Sequence, residues 1–185
     1  MKHLFVLFTF TLIFLNLNAQ NYNNVKPVEF EFGFGIISSN KYDGASAKIG
    51  VNLFMETRLN IANTPFDVGL QAMAGYFERE DKRYELEQEI NNGGLVTFVD
   101  YNFRKWKNIA VFSGLGIGLA AIDSKYISEG VTSNDISDRS FVLNPRMGVE
   151  VYNHFRITAE YKLMNSGYSF TGFNVGIVLG GGYQK

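Results

Sequence analysis

Residues 28–37, VEFEFGFGII, set Val28, Phe30, Phe32, Phe34 and Ile36 on one side of an extended chain. Glu29, Glu31, Gly33 and Gly35 fall on the other. The same two-residue period continues along the chain. In ASAKIGVNLFMETRLNI (45–61), Leu53 and its apolar partners oppose Lys48, Glu56 and Arg58. In FDVGLQAMAGY (66–76), Phe66, Leu70 and Tyr76 oppose Asp67. LVTFVDYNFR (95–104) sets Tyr101 and Phe103 against Asp100 and Arg104, although Val96 and Phe98 interrupt that polar face. IAVFSGLGIGLAA (109–121) opposes Leu115 and Ile117 to three glycines. FVLNPRMGVEVY (141–152) opposes Phe141 and Val149 to Arg146 and Glu150. FRITAEYKL (155–163) opposes Phe155 and Ile157 to Arg156, Glu160 and Lys162. FNVGIVLG (173–180) closes the series with Val175 and Ile177. No sustained helical stripe occurs after the first residues, so the pattern predicts one all-β domain of eight antiparallel strands over residues 28–185.

The connections sort into two sets. Those around 62–65 (ANTP), 105–107 (KWK) and 152–154 (YNH) are tight. Those around 78–93 (EREDKRYELEQEINNG) and 123–139 (DSKYISEGVTSNDISDR) read as long polar loops. Tight turns therefore gather at one end and large loops at the other, as in an up-and-down barrel. Directly opposed residues share a face, so a three-residue turn at Tyr152, Asn153 and His154 predicts Glu150 opposite Arg156 and Arg146 opposite Glu160.

The polar face carries Glu29, Glu31, Lys48, Glu56, Arg58, Asp67, Asp100, Arg104, Arg146, Glu150, Arg156, Glu160 and Lys162, a nearly balanced set. A soluble lipocalin-like barrel would turn these charges to water, whereas a transmembrane barrel turns them into a side-chain-filled lumen. Three features favour the membrane. The apolar rows (Phe30, Phe32, Phe34, Leu53, Leu70, Leu115, Ile117, Val149, Ile157, Val175, Ile177) are long and lack a polar anchor for a ligand. Glycine on the polar face suits a crowded interior. Aromatic residues sit near both strand ends, with Phe66, Tyr101, Phe103, Trp106 and Phe155 at the tight-turn end and Tyr76, Phe141, Tyr168 and Phe170 at the other, as interfacial girdles.

Composition narrows the field further. The 185 residues contain no cysteine and carry a net charge of −1, which gives no reason to expect nucleic acid as a partner. The opening MKHLFVLFTFTLIFLNLNAQ has the charged, apolar and small-residue order of a signal peptide over residues 1–19. Residues 20–27 would then form a short segment before the barrel.

The NAQ ending of that leader, the eight amphipathic strands and the loop asymmetry resemble small outer-membrane β-barrels of the OmpX and OmpA-transmembrane type, as found in many Bacteroidetes. The resemblance covers residues 28–185. It implies the outer membrane of a Gram-negative bacterium, with outer-membrane lipid and lipopolysaccharide as surroundings. It also implies insertion by the outer-membrane assembly machinery, which reads a terminal aromatic residue; Tyr183 in GGGYQK stands nearest that role.

Little in the chain points to chemistry, and no cofactor is expected. Beyond the leader there is one histidine, His154, in a tight turn without an adjoining serine, which argues against a lipid A-modifying enzyme. Its place in the turn suggests a residue accepting an unusual backbone angle. The run GLGIGL (114–119) lacks the setting of a phosphate loop. Asp123, Glu129, Asp135 and Asp138 match no calcium-loop spacing and read as a solvated loop. Arg79, Lys82 and Arg83 are candidates for lipopolysaccharide phosphates. The expectation is a barrel without catalytic activity, structural or presenting its outer loops, with a narrow pore as the alternative.

Overall fold

The computed structural model describes residues 25–39, 46–81, 86–106, 108–128, 131–165 and 167–180. The predicted leader (1–19), Lys82, Arg83, Glu129 and Tyr183 lie outside the described residues. The strands are β1 (Val28–Ser39), β2 (Ser46–Ala47), β3 (Ile49–Asn60), β4 (Phe66–Asp81), β5 (Leu86–Trp106), β6 (Ile109–Ser128), β7 (Val131–Val151), β8 (Phe155–Lys162) and β9 (Phe170–Leu179). Every neighbouring pair is antiparallel. β2 and β3 both pair with β4 and form one interrupted stave, and β1 pairs with β9. Eight staves thus close on themselves and leave no sheet edge along the wall.

Closure is staggered. Stepping along the register from Glu29 leads through Arg58, Gly69, Phe98, Gly116, Asn144, Lys162 and Phe170 back to Ser39, ten residues further along β1 (39 − 29). A shear of that size in eight strands sets a tilt of about 40°. Burial alternates accordingly along β1 and β3, with every buried position on the inner side.

The tight-turn end forms as expected. Val151 opposes Phe155 across the three-residue turn, Glu150 opposes Arg156 and Arg146 opposes Glu160. Positive φ falls on Tyr152 (53°) and Asn153 (58°), so the unusual backbone angles sit beside His154 rather than on it.

The other end differs from expectation. The stretches read as long loops are strands: β4–β5 stay paired to Asp81 and Leu86, and β6–β7 to Ser128 and Val131. Charged and hydroxyl residues hid these extensions, because in water neither face of a hairpin needs an apolar row. A membrane barrel strand needs about 10 residues. β5 and β7 have 21 each, whereas β8 has 8 and β9 has 10. One side of the wall therefore rises far above the other.

Candidate functional site

The interior divides into two storeys. At the tight-turn end it is ionic. Arg156 is buried and meets Glu31 at 2.6 Å, Glu29 at 2.8 Å, and Glu150. Arg58 meets Glu56 at 2.6 Å and Asp100 at 3.0 Å, with Asp67 at 3.7 Å. Arg146 reaches Glu56 at 2.8 Å and Asp100 at 3.6 Å. Arg104 lies at the mouth, 3.3 Å from Asp67 and 3.7 Å from Glu29. Higher up, Lys162 pairs with Glu160 and donates to Gln71 at 3.0 Å, while Asn144 and Asn174 donate to Glu160 at 3.1 and 2.9 Å.

Five cationic groups thus share seven carboxylates among the described residues of the lumen. Alternating strand geometry brings them inward from β1, β3, β4, β5, β7 and β8. Mutual pairing offsets the high cost of burying each charge alone.

Two inward rings hold the arginine planes in place. Arg146 lies 4.2 Å from the Phe98 ring centroid, and Arg58 lies 5.2 Å from it. Phe112 lies 5.1 Å from Arg58 and 5.6 Å from Arg156. Each ring rests on a directly opposed glycine: Phe98 faces Gly69, and Phe112 faces Gly148. A β-carbon at Gly69 would come 2.2 Å from the Phe98 ring, so any side chain there would displace it. Faces combining arginine and aromatic ring are attractive in themselves. Phe98, which interrupts the polar alternation of its strand, is therefore part of the ionic storey.

The hairpin end is largely apolar inside, with buried Arg79, Asn92 and Ser124 among the apolar side chains. Ile37, Phe54, Met73, Phe77, Ile90, Val96, Ile122, Val142, Met164 and Phe170 form one buried cluster. This corrects the expectation of a polar interior throughout. Ile90 lies in a stretch read as loop and Ile122 just past the end of a predicted strand, and Ile37, Phe54 and Val142 stand among large outward residues that mask their alternation. Tyr168 and Phe170, expected in the outer girdle, also point inward; they are 9% and 1% exposed. Gly167, at φ 80°, turns the chain back into the mouth just before them.

Lys48 does not join the lumen. Ala47 opposes Arg79 whereas Val51 opposes Tyr76, so four steps on one strand face three on the other. The extra residue turns Lys48 outward. There it meets Glu78 and Glu87, both at 3.1 Å. Hydrogen bonds to Glu87 and Glu78 raise its ammonium above the ordinary lysine range. This is useful placement, because the register opposes Glu78 to Glu89 and Glu80 to Glu87, and directly opposed like charges repel.

Arg79 is no lipopolysaccharide contact: it is 2% exposed and reaches across the interior. Asp123 accepts a hydrogen bond from Ser137 at 2.7 Å, and Asp138 accepts one from the Arg139 backbone.

Outside, the sequence-derived rows lie on the outer surface. Phe30, Phe32, Phe34, Leu53, Leu70, Leu115, Ile117, Ile157, Val175 and Ile177 are exposed, and Val149 is half-buried. Phe66, Trp106 and Phe155 are exposed near the strand ends, and Phe141 is exposed but lies at the middle of β7, because that strand starts at Val131; Tyr76 and Tyr101 are half-buried. Phe66 and Tyr101 meet edge to face at 5.3 Å.

A closed wall with an apolar exterior and charges sealed within is a membrane-spanning β-barrel. Residues 7–180 match the family model described as outer membrane protein beta-barrel domain, and the chain belongs to that family. It resides in the outer membrane of a Gram-negative bacterium. Among solved structures it is similar to Neisserial surface protein A (NspA), at 11% identity and a TM-score of 0.57, over 85% of this chain and 99% of that one. It is also similar to the outer membrane protein OprG from Pseudomonas aeruginosa, at 16% identity and a TM-score of 0.55, over 89% and 97%. No curated protein matches the sequence.

Proposed function

We propose that this protein is a plugged outer-membrane barrel that neither conducts solutes nor catalyses a reaction, and that it works by holding its two tall hairpins outside the cell. One observation carries this reading: the described inward side chains are buried, in an ionic storey below and a largely apolar storey above. An eight-stranded barrel has just enough interior for side chains. The paired charges give the plug a fixed geometry that mobile pore-lining charges would lack.

The hairpins of β4–β5 and β6–β7 stand beyond the length that a bilayer requires, and their polar faces suit water and lipopolysaccharide sugars. The outward apolar rows supply the contact with acyl chains. The purified barrel in planar lipid bilayers is expected to give no stable channel events. Discrete conductance steps that vanish in an Arg146→Met or Arg156→Met variant would overturn the plug and favour the narrow pore.

A further inference from the structure

The charges of the ionic storey do not balance. Seven carboxylates meet five cations among the described residues, and Lys48, which the sequence pattern sets on the same face, is turned outward by its bulge. An excess of buried negative charge is costly unless a further cation comes close. At the tight-turn mouth the imbalance has a definite place. Asp67 is 3% exposed. Asn102 Nδ2 and Arg104 Nη2 donate to its Oδ2, the latter at 3.3 Å, and Arg58 Nη1 lies 3.7 Å from the same oxygen. Its other oxygen, Oδ1, accepts no hydrogen bond from the described residues.

Asp67 lines a cavity of about 180 Å³ in that mouth. With Oδ2 engaged three times, Oδ1 is the oxygen left to it. Val25, Pro27, Ile61, Ala62 and Pro65 give the cavity apolar walls. The frame around it is tied on every side. Asn60 N donates to Pro27 O at 2.9 Å and Asn60 Nδ2 to Lys26 O at 2.6 Å, which holds the segment before β1 against the end of β3. Thr64 N donates to Ile61 O at 3.1 Å and Thr64 Oγ1 accepts from Phe66 N at 3.2 Å, closing the β3–β4 turn around Asn63, whose φ is 62°. Asn102 N donates to Pro65 O at 2.8 Å and joins that turn to β5. A cavity framed in this way stands ready before a ligand arrives, which lowers the cost of binding.

The lining selects the ligand. A carboxylate oxygen turned to the cavity disfavours anions and calls for a hydrogen-bond donor, best a charged one. Asn60 Oδ1, which accepts from Arg104 at 3.0 Å, has a second lone pair to offer. Arg104 also lines the cavity, but Glu29 and Asp67 Oδ2 share its charge. Among the described residues no group of three or more acidic or histidine side chains is placed to hold a metal ion. Apolar walls around one charged acceptor suit instead an alkyl stem that carries an ammonium. The volume is below the roughly 300–1,000 Å³ of a pocket for a drug-sized ligand, so the stem is short.

We propose that the tight-turn mouth binds a small alkylammonium ion, its nitrogen on Asp67 Oδ1 and its stem against Val25, Ile61 and Pro65. The bound cation brings the lower storey closer to neutrality from outside the chain. This site is separate from the plug, since it occupies the mouth alone and needs no path through the barrel.

The full-length barrel in detergent micelles, with isoleucine and alanine methyl groups labelled for NMR, is titrated with propylammonium chloride at constant ionic strength. Sodium chloride and propanol serve as comparisons. The Ile61 and Ala62 methyl signals should shift saturably with propylammonium, and that of Ile157 on the outer wall should stay in place. Neither sodium nor propanol should reproduce the shift. Asp67→Asn, which keeps an oxygen but removes the charge, should weaken binding about tenfold or more, because a hydrogen bond to a charged group is lost. Ala62→Leu narrows the cavity from an exposed turn position without touching the ion pairs, and it should weaken binding as well. Folding of each variant is checked by the mobility difference between unheated and boiled samples, and Ala62→Leu carries the test if Asp67→Asn fails to fold. Unchanged affinity in either folded variant, or an equal response to sodium or propanol, would overturn the site.

Discussion

The two storeys of the lumen solve the same packing problem with opposite chemistry. Below, guanidinium groups and carboxylates interlock, and each partner is needed because removing one strands the others without water. Above, aliphatic and aromatic side chains meet, and each contributes by its volume. The lower storey is specified by pairing and the upper by shape. Loss of a pair and loss of volume should therefore leave different signatures.

The largest effect is expected at Arg156, which serves three carboxylates. Arg156→Met should destabilise the barrel by about 3–5 kcal/mol, as breaking a buried pair does. Equilibrium unfolding in urea with lipid vesicles measures this. Replacing Glu29, Glu31 and Glu150 with Gln in the same chain should restore much of the loss; no recovery would mean that Arg156 acts through packing. Phe77→Ala in the upper storey should cost about 3–4 kcal/mol through the cavity it leaves. Combined with Arg156→Met it should be additive within about 0.5 kcal/mol, since the contacts of Arg156 with Glu29, Glu31, Glu150 and Phe112 do not overlap those of Phe77 with Phe170 and Arg79. A larger coupling would abolish the division drawn here.

Phe32→Arg, on the outer wall, should cost about 2–4 kcal/mol by placing a charge against acyl chains. It should do so without altering the urea sensitivity of either storey variant. The smallest effect is expected at Gly176, where an added β-carbon would lie 2.1 Å from Glu31 Oε1. Gly176→Ala should cost about 1–3 kcal/mol by overpacking the ionic storey.

The lower storey was legible because two rules agree there. Strand alternation assigns Glu29, Arg58, Asp100, Arg146 and Arg156 to one face, and turn parity pairs Glu150 with Arg156. The upper storey was not, because its inward residues are as apolar as their outward neighbours, and period-two contrast vanishes where both faces are dry. Phe54 between Leu53 and Met55 shows this, as does Val142 between Phe141 and Leu143. Lys48 escaped for another reason: one extra residue inverts a face, and nothing in KIGVNL marks where it is inserted. The tall hairpins were missed because a strand standing in water has no apolar row to reveal it. Arg79 looked like a surface cation, because nothing in the local pattern shows that Ser39 and the returning chain at Gly167 meet it inside.

The ring closes between β1 and β9, and Arg156 on β8 holds Glu29 and Glu31 of β1. The first strand made thus meets β3 early but β9 last, and Glu31 waits some 125 residues for Arg156. Until then two acidic side chains stand in an open sheet without the cation that makes their burial tolerable. Sequence separation of that kind slows folding and leaves the growing sheet exposed to wrong pairings. Entry into the bilayer and neutralisation of the lumen are consequently a single event: the wall cannot be completed around bare carboxylates, and the carboxylates acquire their arginine only when the wall is complete.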